Sequence, residues 1–450
     1  MKQQGKRMTS RLAGMLLLAA IGTTAVAGCG GDEPAAKEAG QGGQEETPKK
    51  DWTKEAVELT YYYMYSDDIE KSFYDDYGSL IQKKYPNFTF KFLRNTKGST
   101  LADVVAAKTP IDFFGGQIAD IYKLKDVDML GNVSDLVDIY KLDMGRLEPV
   151  VIDVMKEVSG GAIPGFPVKI NSLTLAYNKD LFDKFGVPYL TDEMTWDQVA
   201  DVARRLTRNE GGTAYYGLGL NSSMHLVSQA PPPLLDRQTQ RATVATDYWN
   251  RMLKRLVPLA SLADDAEIRS KLANYSSAYS MFHKDRTVAI QVILNSAYSL
   301  SGSGADMNYD FARFPSFSDM RNAGPQPAPF YYFVSKNSPN REAAFLALSE
   351  LVTDESQAAL AKRARVPVLK DKKLLEVLGN DEPLLKGKNA KALVPKQYGQ
   401  VVGLDQMAAQ ANSAVLRSFY EVVAGKKDVN SALRDAEEAA NKKIEALLKQ

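Results

Sequence analysis

The single thiol in this 450-residue chain is Cys29, directly after Val26-Ala27-Gly28. One cysteine excludes an internal disulfide and leaves no Cys cluster for a metal. The only two histidines, His225 and His283, stand far apart in the chain. No HExxH, GxxxxGK[ST] or GxSxG sequence occurs. Zinc-protease, P-loop and nucleophile-elbow chemistry therefore have no local signature. Carboxylates are plentiful, at 55 Asp and Glu, but a glycosidase pair is a spatial feature that spacing does not reveal. The aromatic supply is 22 Tyr against three Trp. Rings and planar amides of this kind suit a ligand with both C–H faces and hydroxyls.

The residues around Cys29 place it. Lys2, Lys6, Arg7 and Arg11 come first with no acid among them, followed by an apolar stretch over 12–25. A bilayer-spanning helix needs roughly 20 apolar residues, so this stretch is too short for one. A basic start, a short apolar segment and small residues before a cut site form a signal peptide. The Val-Ala-Gly-Cys ending resembles a lipobox, which implies that 1–28 is removed and that the Cys29 thiol carries the lipid. Removing four of the 56 basic residues leaves 52 against 55 acids, a net charge near −3. That balance does not favour nucleic acid. Residues 29–56 hold mainly Gly, Glu, Pro, Lys, Gln and Ala, a composition that cannot offset its own ordering entropy. The expectation is a flexible tether.

About 395 residues follow, enough for two domains. The β-branched and aromatic run at 57–64 predicts a strand. Asp67 and Glu70 have capping-box spacing, and Ile69, Phe73, Tyr77, Leu80 and Ile81 form one helical face. A second strand is expected at 88–93, a short helix at 99–107 and a third strand at 111–114, closed by Gly115-Gly116. The order β-α-β-α-β argues for an α/β fold with mainly parallel sheets flanked by helices. In such sheets ligands sit at the carboxyl ends of the strands. Residues 341–352, 406–424 and 429–449 read as helices. Trp196 and Trp249 read as core, and Asn178 as the cap of a helix that ends at Gly186.

Six blocks in order then resemble the family 1 extracellular solute-binding proteins of ABC importers. They are Asp128-Met-Leu-Gly-Asn-Val-Ser-Asp-Leu136, Gly161-Ala-Ile-Pro-Gly-Phe-Pro167, Tyr177-Asn-Lys-Asp-Leu-Phe-Asp-Lys-Phe-Gly-Val-Pro188, Thr195-Trp-Asp197, the Met281 to Ile290 block and the Val334 to Phe345 block. The resemblance implies a two-lobed periplasmic-binding-protein fold, a Venus flytrap with three hinge crossings. Lobe one is expected at 57–177 and 287–334, lobe two at 178–286 and 335–450. It implies a solute held between the lobes and delivered to an ABC permease, by a monomer without cofactor or metal. The expected solute is a carbohydrate, foremost an oligosaccharide. A peptide, polyol, polyamine or sugar acid is the alternative, and a lipid-anchored glycoside hydrolase or an adhesion protein the remaining readings.

Strand ends and crossover loops supply the candidate ligand contacts: Tyr65, Gln117, Asn171, Ser172, Asn221, Asn295, Tyr298, Phe330, Tyr331 and Tyr398. Gln117 and Asn295 rank first because both follow strands that enter the cleft. Asp67 and Asp68 read as helix-start acids, which the N-terminal dipole favours. The lipid expectation has a direct check. Cys29→Ser should move the protein from the membrane fraction to the soluble one, and continued detergent-dependent membrane association would contradict it.

Overall fold

The β-branched and aromatic residues that begin at Val57 open a set of twelve strands among the residues that the computed structural model describes, 50–222, 234–297, 306–320, 323–401 and 405–449. The strands are β1 (Val57–Tyr63), β2 (Phe88–Arg94), β3 (Phe113–Gln117), β4 (Gly165–Asn171), β5 (Leu173–Asn178), β6 (Arg208–Glu210), β7 (Thr213–Gly219), β8 (Leu235–Asp236), β9 (Arg241–Ala242), β10 (Val288–Leu294), β11 (Tyr309–Arg313) and β12 (Ala328–Val334). Cys29, His225 and Tyr298 lie outside the described residues.

Two five-stranded sheets carry the fold, in the orders β2-β1-β3-β12-β4 and β11-β5-β10-β7-β6. In the first, β1 runs parallel to β2 and β3, and β12 is antiparallel to both β3 and β4. The second is mixed: β10 is parallel to β7, whereas β5 is antiparallel to β10 and β11. The sheets are thus mixed rather than mainly parallel: the first has two parallel and two antiparallel pairings with β12 as its one reversed strand. The chain passes from β4 in the first sheet to β5 in the second through Ser172 alone, with no crossover helix.

The expected division of the chain is corrected in the same way. β10 and β11 belong to the second sheet, not to lobe one. The helices Arg341–Glu350 and Asp354–Lys362 pack into the first core through Phe345, Leu348 and Leu360, not into lobe two. Three crossings remain, at new places: between β4 and β5, between β11 and β12, and between Leu393 and the helix Gln406–Val423. That helix and the final one, Val429–Leu447, pack into the second core through Val415, Phe419 and Ile444. The first core also runs past the crossings to Ala176, Ile293 and Phe311, on one face of the second sheet. Trp196 and Trp249 are fully buried in the second core, as their helical spacing implied. Asn178 caps the helix Lys179–Phe185 by accepting from the amides of Asp180 and Leu181, and Gly186 ends it at φ +62°.

Two local readings near β1 change. The helix begins at Glu70, with Ile69 rather than Asp67 at its cap and no capping side chain; Asp67 is exposed. Residues Tyr74–Gly78 form a π-helical turn, in which one extra residue enters the coil. Its Asp76 is buried and accepts from Arg365 Nε at 2.7 Å. The third strand also runs on through Gly115 and Gly116 to Gln117 rather than stopping before them. Both glycines stay in the ladder, Gly115 between Tyr63 and Tyr332 and Gly116 opposite Tyr331. The sequence reason is space. A Cβ on Gly115 would drive into the Tyr61 hydroxyl, and one on Gly116 into the Asp120 carboxylate. Tyr61 uses that room to stack on Phe113 at 4.8 Å and 6°, with Tyr332 edge-on to both at 5.4 and 5.5 Å. Overpacking a rigid core costs about 1–3 kcal/mol. Gly115→Ala should therefore lower the unfolding free energy by about 2 kcal/mol in urea titration, and an unchanged midpoint would contradict the close packing.

Candidate functional site

At the carboxyl end of the first sheet the ladder sets three side chains abreast. Gln117 on β3 pairs with Phe330 on β12, and Phe330 pairs with Lys169 on β4. Directly opposed residues place their side chains on the same face about 4.5–5.5 Å apart. One step nearer the strand ends, Asn171 pairs with Ala328 and shares the face of Lys169 by the two-residue alternation. The row continues onto β1: the Phe330 ring lies 6.3 Å from Tyr63, and Tyr63 is edge-on to Tyr65 at 5.2 Å. All these side chains are half-buried except Gln117, which is exposed.

One end of the row is fixed by Asp120, at the start of the helix Asp120–Asp126. Its buried carboxylate accepts from Tyr65 Oη at 2.7 Å, from the Gln117 amide at 2.9 Å and from Lys123 Nζ at 2.7 Å. Burial and the adjacent carboxylate hold the Tyr65 hydroxyl well above the usual phenol range, and burial and Asp67 raise that of Tyr63. Both phenols therefore remain protonated donors at neutral pH. At the other end, the Lys169 ammonium lies over the Phe330 ring, 5.6 Å from its centroid, within cation–π range.

The crossings meet next to this row. Asn295 follows β10 and is only 3 % exposed. Its Nδ2 donates to the carbonyls of Ile170 and Leu393, both at 3.1 Å, and its Oδ1 accepts from the Ser172 amide at 3.1 Å. The Asn295 amide in turn donates to the Ser172 carbonyl at 2.8 Å. Thr174 Oγ1 stands 2.8 Å from the Ala392 carbonyl and 3.0 Å from that of Ala312 and donates to one at a time. Three separate passages of chain are thus joined by one buried amide.

The structure divides the sequence-derived residues. Tyr65, Gln117, Asn171 and Phe330 come together in the row. Asn221 is buried at the end of β7 in the second sheet, beside Ser222, whose hydroxyl donates to the Ala273 carbonyl at 2.6 Å. Asn295 is not a ligand contact: both its donors are spent on backbone carbonyls inside the hinge. Ser172 is fully buried there too. Tyr331 points through the opposite face into the core, where its hydroxyl donates to the Val151 carbonyl at 2.7 Å. Tyr398 packs against the first core with its hydroxyl buried. It sits on a strap whose Gly399 amide donates to the Pro325 carbonyl at 2.9 Å, apart from the row.

Sequence reasoning passed over Lys169, Tyr63 and Asp120. Tyr63 carried a signal, as the last aromatic of the strand predicted at 57–64. Lys169 carried none, since only the pairing of β4 with β12 brings it beside Phe330. Among the described residues no group of three His, Cys, Asp or Glu is placed to hold a metal, and no helix is long and apolar enough to cross a membrane.

Comparison with known proteins gives a consistent picture. The family model of bacterial extracellular solute-binding proteins matches residues 35–358. An uncharacterized ABC transporter extracellular-binding protein of Pyrococcus horikoshii is 26% identical over 185 residues. That stretch spans 40% of this chain and 41% of the relative's length. Among solved structures, a sugar transporter protein of Rhizobium etli in an open conformation aligns with a TM-score of 0.65 at 20% identity, covering 86% of this chain and 99% of the other. An ABC substrate-binding protein of Listeria monocytogenes in complex with cycloalternan gives 0.65 at 18%, covering 87% and 99%. A cyclic alpha-maltosyl-1,6-maltose binding protein of Arthrobacter globiformis gives 0.64 at 18%, covering 87% and 100%. At these identities the structures establish the shared two-lobed fold.

The two amides ranked first by sequence should part company on mutation. Leaving buried backbone groups unsatisfied costs about 1–3 kcal/mol, so Asn295→Ala should destabilise the protein by at least about 2 kcal/mol in urea titration. Gln117→Ala, on the exposed rim, should stay within about 0.5 kcal/mol of the parent. Equal effects would contradict the division into hinge and rim.

Proposed function

The chain belongs to the bacterial extracellular solute-binding protein family, and on that premise we propose that it captures a saccharide between its lobes and presents it to the permease of an ABC importer. The row Tyr65, Tyr63, Gln117, Phe330 and Lys169 carries the reading. It offers aromatic faces for sugar C–H surfaces together with amide, phenol and ammonium donors for hydroxyls. From the second lobe, Asn221 at the end of β7 would be the contributing amide. The lobes joined at Asn295 then move as hinge-linked bodies, as periplasmic binding proteins do. Relatives of the same fold are described with cycloalternan, mannobiose and D-mannitol, which supports a carbohydrate over a peptide or polyamine. The lipobox-like sequence at Cys29 supports a lipid anchor that keeps the receptor at the membrane beside its permease.

A ligand that binds only the folded state stabilises it by RT ln(1 + [L]/Kd), about 2.7 kcal/mol at a hundredfold excess over Kd. Thermal unfolding in the presence of neutral and acidic mono- and disaccharides should therefore give at least one concentration-dependent rise in Tm, with no new saccharide product in the same samples. Tm shifts only with peptides, polyamines or amino acids would overturn the carbohydrate reading.

A further inference from the structure

Lys169 differs from the other cations near the row. Arg94 faces Asp68, Lys123 is bonded to Asp120, and Arg365 is bonded to the buried Asp76. Among the described residues the Lys169 ammonium has neither a hydrogen bond nor an ion pair; it lies over the Phe330 ring. The groups that face it are few. The Arg365–Asp76 pair comes from the chain beside β4 and from the π-helical turn. Phe330 comes from β12, with Tyr63 of β1 beside its ring. The Tyr77 hydroxyl, also on the π-helical turn, is buried without a partner and lies within electrostatic reach of Asp76, Arg365 and Tyr63. Asp76 is neutralised by Arg365, so one positive charge is left over at this end of the row.

An ammonium taken out of water without an acceptor is a standing cost to the fold. Burial, reinforced by Arg365 and opposed by Asp76, pulls its pKa down to about 8. It therefore remains mostly charged at pH 7 with part of its hydration lost. A neutral hydroxyl would return part of what is lost, and an anionic oxygen would return more, because charge-assisted bonds are roughly twice as strong as neutral ones.

Resting on the carbohydrate reading above, we propose that the saccharide this protein takes is an acidic one, a uronate whose carboxylate is seated against Lys169 while its ring lies along Phe330, Tyr63 and Tyr65. The exposed Gln117 side chain then serves the neutral hydroxyls at the far end of the row. Selectivity against neutral sugars follows from the same group: an ester keeps a carbonyl acceptor but not the negative charge that would pair with the ammonium.

Calorimetric titration of the full chain with digalacturonate and dimannuronate, each beside its methyl ester, tests this. At pH 7 at least one acid should bind ten times or more tighter than its ester. Lys169→Met keeps the side-chain volume and should remove that preference, bringing the affinity for the acid to within threefold of that for its ester. The wild-type protein gives a second reading that does not depend on the variant. Lys169 is charged below its ligand-free pKa of about 8 and neutral above it, so acid binding should weaken at least tenfold between pH 7 and 9.5, and by more than ester binding does. An ester that binds as tightly as its acid, or acid binding that is flat across that pH range, overturns the acidic assignment and leaves the carbohydrate reading standing. Failure of every acidic and neutral saccharide to bind overturns both.

Discussion

The buried side chain of Asn295 is the point on which the two lobes depend. Its amide joins the end of β10 to the β4–β5 passage at Ile170 and Ser172 and to the returning chain at Leu393. Every partner is a backbone atom, so the clasp is set by the path of the chain and tolerates little displacement. In the proposed hinge this clasp would hold the passages in register while one body rotates against the other. Thr174 adds a second tie at the same place by reaching the Ala392 carbonyl.

Rigidity matters equally in the first lobe, because the row is only as well placed as the strands beneath it. Gly115 lets Tyr61 lie against β3, and the stack of Tyr61 on Phe113 with Tyr332 edge-on locks β1, β3 and β12 together. Those three strands present Tyr63, Gln117 and Phe330. Asp120 then pins the Tyr65 phenol and the Gln117 backbone at once. Recognition groups held this way lose little freedom on binding, which favours affinity. The π-helical turn at Tyr74–Gly78 serves the same end of the site by turning Asp76 toward Arg365 and leaving Lys169 as the cation without an acceptor.

Much of the fold was legible in the sequence because its signals are local. The β1 to β3 strands, the caps at Asn178 and Gly186 and the buried Trp196 and Trp249 all follow from residue type and spacing. The crossings were misplaced because sheet membership is not local. Nothing in the β10 sequence says that it pairs with β5 rather than with β12, and nothing in 341–362 says which core its apolar face enters. The site was half legible for a related reason. Tyr65, Gln117 and Phe330 end or flank strands, and strand ends are visible in sequence. Asn295 also ends a strand, but whether such an amide points to a ligand or braces the backbone depends on which carbonyls lie opposite. Lys169 emerges only from the register of β4 on β12, which no one-dimensional pattern contains.

Hinge closure around the Asn295 clasp is tested most directly by small-angle X-ray scattering of the protein with and without a saturating saccharide chosen by calorimetry. The radius of gyration should fall on saturation and return to its starting value when the saccharide is dialysed away. Saturated binding with an unchanged radius of gyration would contradict a two-lobed clamp and would make the row a static surface site on the first lobe.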